Sequence, residues 1–184
     1  YNVSDNLNVY FNFGNLQTAP KFTSVFLNYV NTINPKANPE KVQSNELGVG
    51  YSSGMVRANM NYYNTDWMDK SLIMQSGNSI FNIEGIDANH SGVEMDIDLA
   101  LMDMLSINTS LSMGNWTWNS DIENVTVFDD YNRGGETETI SIYTEGIHVG
   151  GAPQTQMSLG LNIKPMKGFV IYPVVKMFDN MYSS

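Results

Sequence analysis

The chain has 184 residues, of which 42% are hydrophobic and 11% aromatic, and its formal net charge is −10. This negative charge argues against a nucleic-acid binder, and the lack of cysteine excludes disulfides, thiolate catalysis and cysteine-ligated zinc. No apolar run approaches the roughly 18 residues of a membrane-spanning helix, but membrane β-strands are shorter and half polar.

Hydrophobic and polar residues alternate in the first half of the chain, which is typical of β-strands with two different faces. Residues 7–13 place their apolar side chains on one face: Leu7, Val9, Phe11 and Phe13. The same alternation continues through residues 45–51 and 56–62, on either side of a Ser-Ser-Gly turn. This arrangement predicts a β-hairpin.

The alternation is strongest in residues 92–114. Its apolar face carries Val93, Met95, Ile97, Leu99 and Leu101, and its polar face carries Glu94, Asp96 and Asp98. After a turn at 102–104 the pattern resumes in residues 105–113, and a further pair of strands is predicted around a turn at 164–168. Both faces of the last strand are apolar and Pro173 interrupts it, so its register stays open.

The predicted connections alternate in length. Residues 52–54, 102–104 and 164–168 form short turns, whereas 14–44, 64–89 and 119–153 form long connections. Outer-membrane barrels place short turns at one rim and long loops at the other, with lipid outside the strands and water inside. The fold class is therefore predicted to be all-β, an antiparallel transmembrane β-barrel. A soluble β-sandwich, whose strands also alternate, remains the alternative.

Several stretches resemble TonB-dependent outer-membrane receptors. In residues 38–70, "NPEKVQSNELGVGYSSGMVRANMNYYNTDWMDK", a Pro-Glu pair precedes an E-L-G strand, a short turn and a strand ending in Y-x-T/N-x-W-x-D. Residues 85–118, "GIDANHSGVEMDIDLALMDMLSINTSLSMGNWTW", are similar to the following hairpin, and residues 146–184 to the next one. The order and spacing of these motifs resemble the receptors of the Bacteroidetes.

The resemblance implies that residues 1–184 are a C-terminal fragment of one barrel, with about seven or eight strands of about 22. A plug and a TonB box would lie outside this chain. The implied function is active uptake of a large or scarce nutrient across the outer membrane: a glycan, a peptide or a metal chelate. The implied partners are lipid, the TonB complex and possible surface lipoproteins, with no enzyme activity and no cofactor. A passive porin-like barrel, an adaptor barrel and a soluble secreted glycan-binding domain are the alternatives.

Ligand contact is expected on the inward face and in the long loops, through stacking aromatic rings and carboxylates that make the lumen polar. The candidate residues are Trp67, Glu94, Asp96, Asp98, Trp116 and Trp118. Arg57 shares the inward face by the same alternation and is a candidate partner for the carboxylates. A solvated lumen wall explains the three acids better than a catalytic site, because catalysis would need a closed pocket and perturbed pKa values.

Metal binding has one weak candidate. Asp130, Asn132 and Glu136 echo the start of a calcium loop, but the Glu at loop position twelve is missing. A solvated acidic outer loop is the preferred interpretation. The two histidines, His90 and His148, have no carboxylate at ligand spacing and are interpreted as structural or rim residues.

Overall fold

The computed structural model describes residues 1–26, 31, 33–77, 79–129 and 136–183. These residues form β-strands and one short helix, α1 (Phe22–Val25), so the predicted all-β class is confirmed. The strands are β1 (Asn2–Ser4), β2 (Leu7–Thr18), β3 (Glu40–Ser52), β4 (Val56–Ser76), β5 (Ser79–Met102), β6 (Leu105–Trp118), β7 (Ile122–Asp129), β8 (Glu136–Ile142), β9 (Pro153–Met166), β10 (Phe169–Ile171) and β11 (Val174–Met181). In this part of the chain, no helix has the length and apolarity needed to cross a membrane.

The strands form one antiparallel sheet in the order β1-β2-β3-β4-β5-β6-β9-β10. β11 also pairs with β9, because Pro173 lacks a backbone N–H and interrupts the last strand between β10 and β11. The ladder settles the register that the sequence left open, since Met177 lies opposite Met157. Within the described residues no pairing joins the first strands to the last ones, so the sheet stays open.

The predicted hairpins are confirmed. β3 and β4 pair around the Ser-Ser-Gly turn, with Val49 opposite Met60. β5 and β6 pair around a turn at 103–104, with Val93 opposite Met113. Each short connection therefore joins neighbouring strands, and most apolar residues near the turns face apolar residues, with Ile97 opposite Thr109 as an exception.

The predictions for the long connections are partly wrong. Residues 64–89 are mostly strand, since β4 runs for 21 residues and β5 for 24. Residues 119–153 contain β7 and β8, and β7 pairs with the start of β5. β2 also continues to Thr18, beyond the predicted start of its loop. We call residues 68–76 and 79–87 together with β7 and β8 the extension.

Two bulges explain why the extension lost its alternation in the sequence. The register between β4 and β5 shifts between Trp67 and Lys70 and again between Lys70 and Leu72. Asp69 and Gly85 lie at these shifts with positive φ angles of 57° and 76°. Because each bulge adds an unpaired residue to one strand, it reverses which residues face which side. A period of two therefore cannot continue through the segment.

The hydrophobic core lies in the extension. Ile83, Ile86, Ile122 and Val125 are buried together. Partly buried hydrophobic side chains pack around them: Leu72, Trp118, Ile140 and Ile142. This part of the sheet therefore folds back on itself through β7 and β8 and shields its own apolar face from water.

Outside the extension, the strand register aligns apolar side chains into rows on one face. One such row contains Leu47, Tyr62, Val93 and Met113, and the next contains Val49, Met60, Met95 and Leu111. We call this face the apolar belt. A row of polar residues borders it towards the extension: Asn45, Asn64, Ser91 and Asn115. The belt therefore ends at the same level on four neighbouring strands.

The belt is not covered by a second layer in the described part of the chain. Leu47 is 56% exposed, Tyr62 51% and Met113 50%, and the contacts of the belt strands follow the ladder. From Val93 to Leu101 a strand advances about 26 Å, or about 20 Å along the barrel axis at a tilt of about 40°. That height is close to the apolar band of outer-membrane barrels, about 25 Å.

Candidate functional site

The face opposite the apolar belt carries the three predicted carboxylates, and we call it the polar face. The register places Glu94 between Asn61 and Ser112, and Asp96 between Asn59 and Ser110. All three acids are exposed. The alternation predicted from the sequence therefore gives the correct face for each acid.

Amide side chains on neighbouring strands hold two of these acids. Asn61 Nδ2 donates to Glu94 Oε2 at 3.3 Å, and Asn108 Nδ2 donates to Asp98 Oδ1. Such neutral donors fix the carboxylates without cancelling their charge. The polar face therefore keeps the negative potential that its acids create.

The expected pairing of Arg57 with a carboxylate is only partly met. Arg57 lies opposite Asp98 in the ladder. Within the described residues, however, ion pairs closer than 4.0 Å join Lys21 to Glu40 and Lys41 to Asp69, and Arg57 takes part in none. Asp98 instead accepts a hydrogen bond from the Asn108 amide. Arg57 therefore contributes a charge on the polar face without a direct ion pair.

A groove of about 360 Å³ runs along the polar face between β5, β6, β9 and β11. Glu94 and Asp96 line one side, and Lys176 and Phe178 of β11 line the other. Lys176 was not among the residues chosen from the sequence, because the register of the last strand could not be read there. The groove therefore has two carboxylates on one side and a positive charge with an aromatic ring on the other.

Further along the polar face, beyond the apolar belt, aromatic rings form a cluster on β4, β5 and β6. The His90 ring lies between Trp67 and Trp116, with ring centroids 6.4 Å and 5.4 Å away. Lys70 Nζ lies 3.5 Å from the centre of the Trp67 ring, and Trp116 Nε1 donates to the Tyr63 hydroxyl at 2.9 Å. We call these five residues the aromatic cluster. The structure thus brings Trp67 and Trp116 together, as two of the predicted contact residues.

Glycines make room for two rings of the cluster. A Cβ at Gly92 would lie 2.6 Å from the Tyr63 hydroxyl, and one at Gly114 would lie 2.6 Å from Trp116 Nε1. The Tyr63 ring therefore lies over the neighbouring strand β5 and the Trp116 ring over its own strand β6, and a larger residue at either glycine would displace the ring. The Gly residues of "HSGVE" and "SMGNW" are the sequence signal for this close packing.

The electrostatics of the cluster favour neutral side chains. Burial lowers the pKa of His90, and the positive charge of Lys70 lowers it further. Burial also lowers the pKa of Lys70, although the charge of Glu40 opposes that shift. His90 is therefore held in its neutral form at neutral pH, with ring nitrogens suited to hydrogen bonding rather than to ion pairing.

Trp118 has a different position from the other two tryptophans. Trp118 on β6 lies opposite Ala88 of β5, and Trp67 on β4 lies opposite the same Ala88 from the other neighbouring strand. Its ring packs against the core of the extension. The structure therefore assigns Trp118 a packing contact, and it does not join the ring cluster of Trp67 and Trp116.

The calcium-loop candidate falls mostly outside the described residues. Asp130 and Asn132 are not described, and Glu136 is placed only as the first residue of β8. Among the residues that are described, no group of three or more His, Asp or Glu side chains is arranged to hold a metal ion. That prediction therefore stays a prediction.

Comparison with known proteins identifies the family. The family described as TonB dependent receptor-like, beta-barrel, matches residues 1–172. No curated protein sequence matches significantly. Among solved structures, the ferric yersiniabactin uptake receptor FyuA from Yersinia pestis is similar, with a TM-score of 0.63 and 17% identity, a likeness of fold alone. The match covers 96% of this chain and 24% of that one, so this chain spans about a quarter of the receptor's length. The chain therefore belongs to the TonB-dependent receptor-like β-barrel family, and its sheet is part of an outer-membrane barrel.

Proposed function

We propose that this chain forms part of the wall of an outer-membrane transporter that takes up a large or scarce nutrient by TonB-dependent active transport. The observation that carries the proposal is the partition of the sheet into an apolar belt and a polar face. The belt matches the lipid-facing surface of such a barrel, and the polar face matches its lumen. The family comprises receptors and transporters rather than enzymes.

The nutrient would contact the polar face at the aromatic cluster and along the acidic groove. Trp67 and Trp116 offer ring faces for stacking on a sugar ring, a peptide side chain or an aromatic chelator. Glu94, Asp96 and Asp98 keep the lumen hydrated and repel anions that carry no compensating charge. Trp118 would act indirectly, by fixing the extension above the cluster.

The remaining features of the transporter follow from the family resemblance. The chain would be the C-terminal part of a barrel of about 22 strands. A plug and a TonB box would precede it, so contact with the TonB complex would be made outside these residues. The motifs of residues 38–70 and 85–118 support a Bacteroidetes-type receptor, and a surface lipoprotein is a proposed partner.

Growth assays on limiting nutrients test active transport. A strain that lacks the receptor gene would be compared with wild type on ferric chelates, glycans and peptides, in cells with and without a working TonB. We expect one nutrient class to require both the receptor and TonB. Receptor-dependent uptake that continues without TonB would instead indicate the passive porin-like alternative.

Variants of the aromatic cluster test the contact site. Trp67→Ala with Trp116→Ala should raise the half-saturating nutrient concentration about tenfold or more, because aromatic anchors dominate ligand contacts. Tyr143→Ala is the matched control, since Tyr143 is an exposed aromatic residue of the neighbouring connection, outside the cluster. Equal uptake by both variants, at equal amounts of receptor in the outer membrane, would remove the cluster from the proposed path.

A further inference from the structure

Polar side chains are buried where the connection between β2 and β3 meets the extension. Ser71 is 3% exposed, Asn82 5% and Glu40 9%, and Glu84 lies beside them. Glu40 Oε1 accepts a hydrogen bond from the Ser71 N–H at 3.2 Å. We call Glu40, Ser71, Asn82 and Glu84 the buried polar cluster. Its residues belong to neither the aromatic cluster nor the apolar core.

Most of the side-chain polar atoms in this cluster have no well-formed hydrogen bond. The Ser71 hydroxyl, both amide atoms of Asn82 and both carboxylate oxygens of Glu84 are shielded from solvent without one, although the Ser71 and Asn34 side chains lie close to the Glu84 carboxylate. Buried polar groups in folded proteins are almost always satisfied, because an unpaired one loses its hydration without compensation. Five such atoms on three neighbouring residues indicate a missing ligand rather than a set of separate defects.

The unpaired atoms are mainly oxygens, and they include a carboxylate. A hydroxyl, an amide carbonyl and a carboxylate are hard ligands, which suit Ca²⁺ and not the softer transition metals. Glu40 adds a second negative charge close to Glu84. The basic groups around the cluster make other contacts: Lys21 Nζ lies 3.7 Å from Glu40, Lys36 Nζ donates to the Asn124 carbonyl at 3.0 Å, and Lys70 Nζ lies over the Trp67 ring.

A pocket adjoins the cluster. A pocket of about 340 Å³ is lined by Asn82 and Glu84 from β5, by residues 34–36 of the connection between β2 and β3, and by residues 121–125 at the start of β7. A pocket of this volume has room for a hydrated ion beside Asn82 and Glu84. Asp121 and Glu123 at its β7 side add negative charge to the pocket.

We propose that Glu84, Asn82 and Ser71, with Glu40 supplying the second negative charge, form a Ca²⁺ site that ties the start of β3 to the extension. This site is independent of nutrient transport. Its function is structural, because the ion would satisfy the buried oxygens and hold two neighbouring segments together. Calcium sites of exposed modules typically have a Kd of about 10⁻⁴ to 10⁻³ M.

Calcium titration of the full receptor, purified in detergent and freed of metal with a chelator, tests the site. Calorimetry should detect a binding event in the wild type that Glu84→Gln weakens about tenfold or more, since that change removes a charged ligand of the same size. Asn82→Asp should strengthen it, because it adds a charge to the same position. Glu145→Gln is the matched control, since Glu145 is an exposed acid of the neighbouring connection between β8 and β9.

The two opposite variants keep the test clear of misfolding, because a damaged protein would not bind calcium more tightly. Heat denaturation with and without CaCl₂ gives a second measurement, in which calcium should raise the Tm of the wild type and of Glu145→Gln but not of Glu84→Gln. No calcium binding by the wild type, or equal binding by Glu84→Gln and the wild type, would overturn the proposal. Nutrient uptake is not measured, so the outcome leaves the transport proposal untouched.

Discussion

β4 and β5 pass through two regions of the molecule that use apolar residues in opposite ways. In the apolar belt, side chains such as Tyr62 of β4 and Leu101 of β5 stay about half exposed on a single sheet. In the extension, Ile83, Ile86 and Val125 of the same sheet are buried against one another. The same two strands therefore contact lipid below the polar border row and water above it.

This difference shows what sets the sequence pattern. In the belt the bilayer supplies the second layer, so one face must be apolar, the other can stay polar, and the period of two continues without interruption. In the extension the protein must supply the second layer itself through β7, β8 and the connection between β2 and β3. Both faces are then partly covered, bulges redirect side chains, and the alternation disappears. In this chain the clean period therefore coincides with the apolar belt, and its loss coincides with the self-packed extension.

The largest expected effect comes from the core of the extension. Ile86→Ala removes a side chain that is 3% exposed and should destabilise the extension by about 2–5 kcal/mol. Hydrogen exchange should show faster opening of β7 and of residues 79–87, while the belt strands keep their protection. Loss of protection across both regions would mean that the two fold as one unit and would break the comparison.

The belt gives the second prediction. Ile97 lies at the middle of the apolar alternation of β5, and Asp96 lies next to it on the polar face. Ile97→Arg should cost about 2–4 kcal/mol in bilayer folding, because it places a charge in hydrocarbon. Asp96→Arg is the matched control and should cost much less. Folding titrations in lipid vesicles measure both, and equal costs would contradict the assignment of the two faces.

The sequence predicts the belt well and the extension poorly. Val93, Met95 and Ile97 alternate strictly with acids, so the strand, its two faces and its hairpin could all be read. Residues 64–89 looked like a connection because Asp69 and Gly85 interrupt the period with positive φ angles. The core partners Ile83 and Ile122 are distant in sequence and meet only through the strand pairing of β7 with β5 and β8.

The candidate site shows the same limit. Glu94 and Trp116 could be placed on one face by parity and by the family resemblance. The position of His90 between two tryptophans depends on how β4, β5 and β6 align, and Lys70 reaches the cluster only after a bulge. Lys176 depends on a strand whose register is set after Pro173. The face on which a side chain lies follows from the alternation within one strand, whereas its contacts depend on the register of several strands.

A smaller effect is expected at the boundary between the two regions. Trp116→Phe keeps a ring over Gly114 but removes the hydrogen bond from Nε1 to the Tyr63 hydroxyl. Loss of one such bond should cost about 0.5–1.5 kcal/mol. Tyr63→Phe removes the other partner, so a double-mutant cycle by heat denaturation isolates the pair. Additive effects of the two changes would show that the bond contributes nothing to the junction.

The smallest effect is the pH dependence of the extension in the absence of calcium. The pKa of Glu84 is raised above its ordinary value of 4.5 in the folded state, mainly by burial. Between pH 4.5 and the raised pKa of the folded state, the folded protein binds more protons than the unfolded protein. The contribution of Glu84 to stability is therefore present below pH 4.5 and is lost as the pH rises through the folded pKa. Glu84→Gln, which cannot ionise, should remove that part of the pH dependence and leave the extension more stable at neutral pH in chelator.

Hydrogen exchange of β5 and β7 at several pH values, corrected for intrinsic rates, measures this change, with Glu145→Gln as control. If Glu84→Gln instead destabilised the extension at neutral pH without calcium, the charged Glu84 carboxylate would be stabilised by its surroundings in the calcium-free protein. Burial would then not be the dominant effect on its charge.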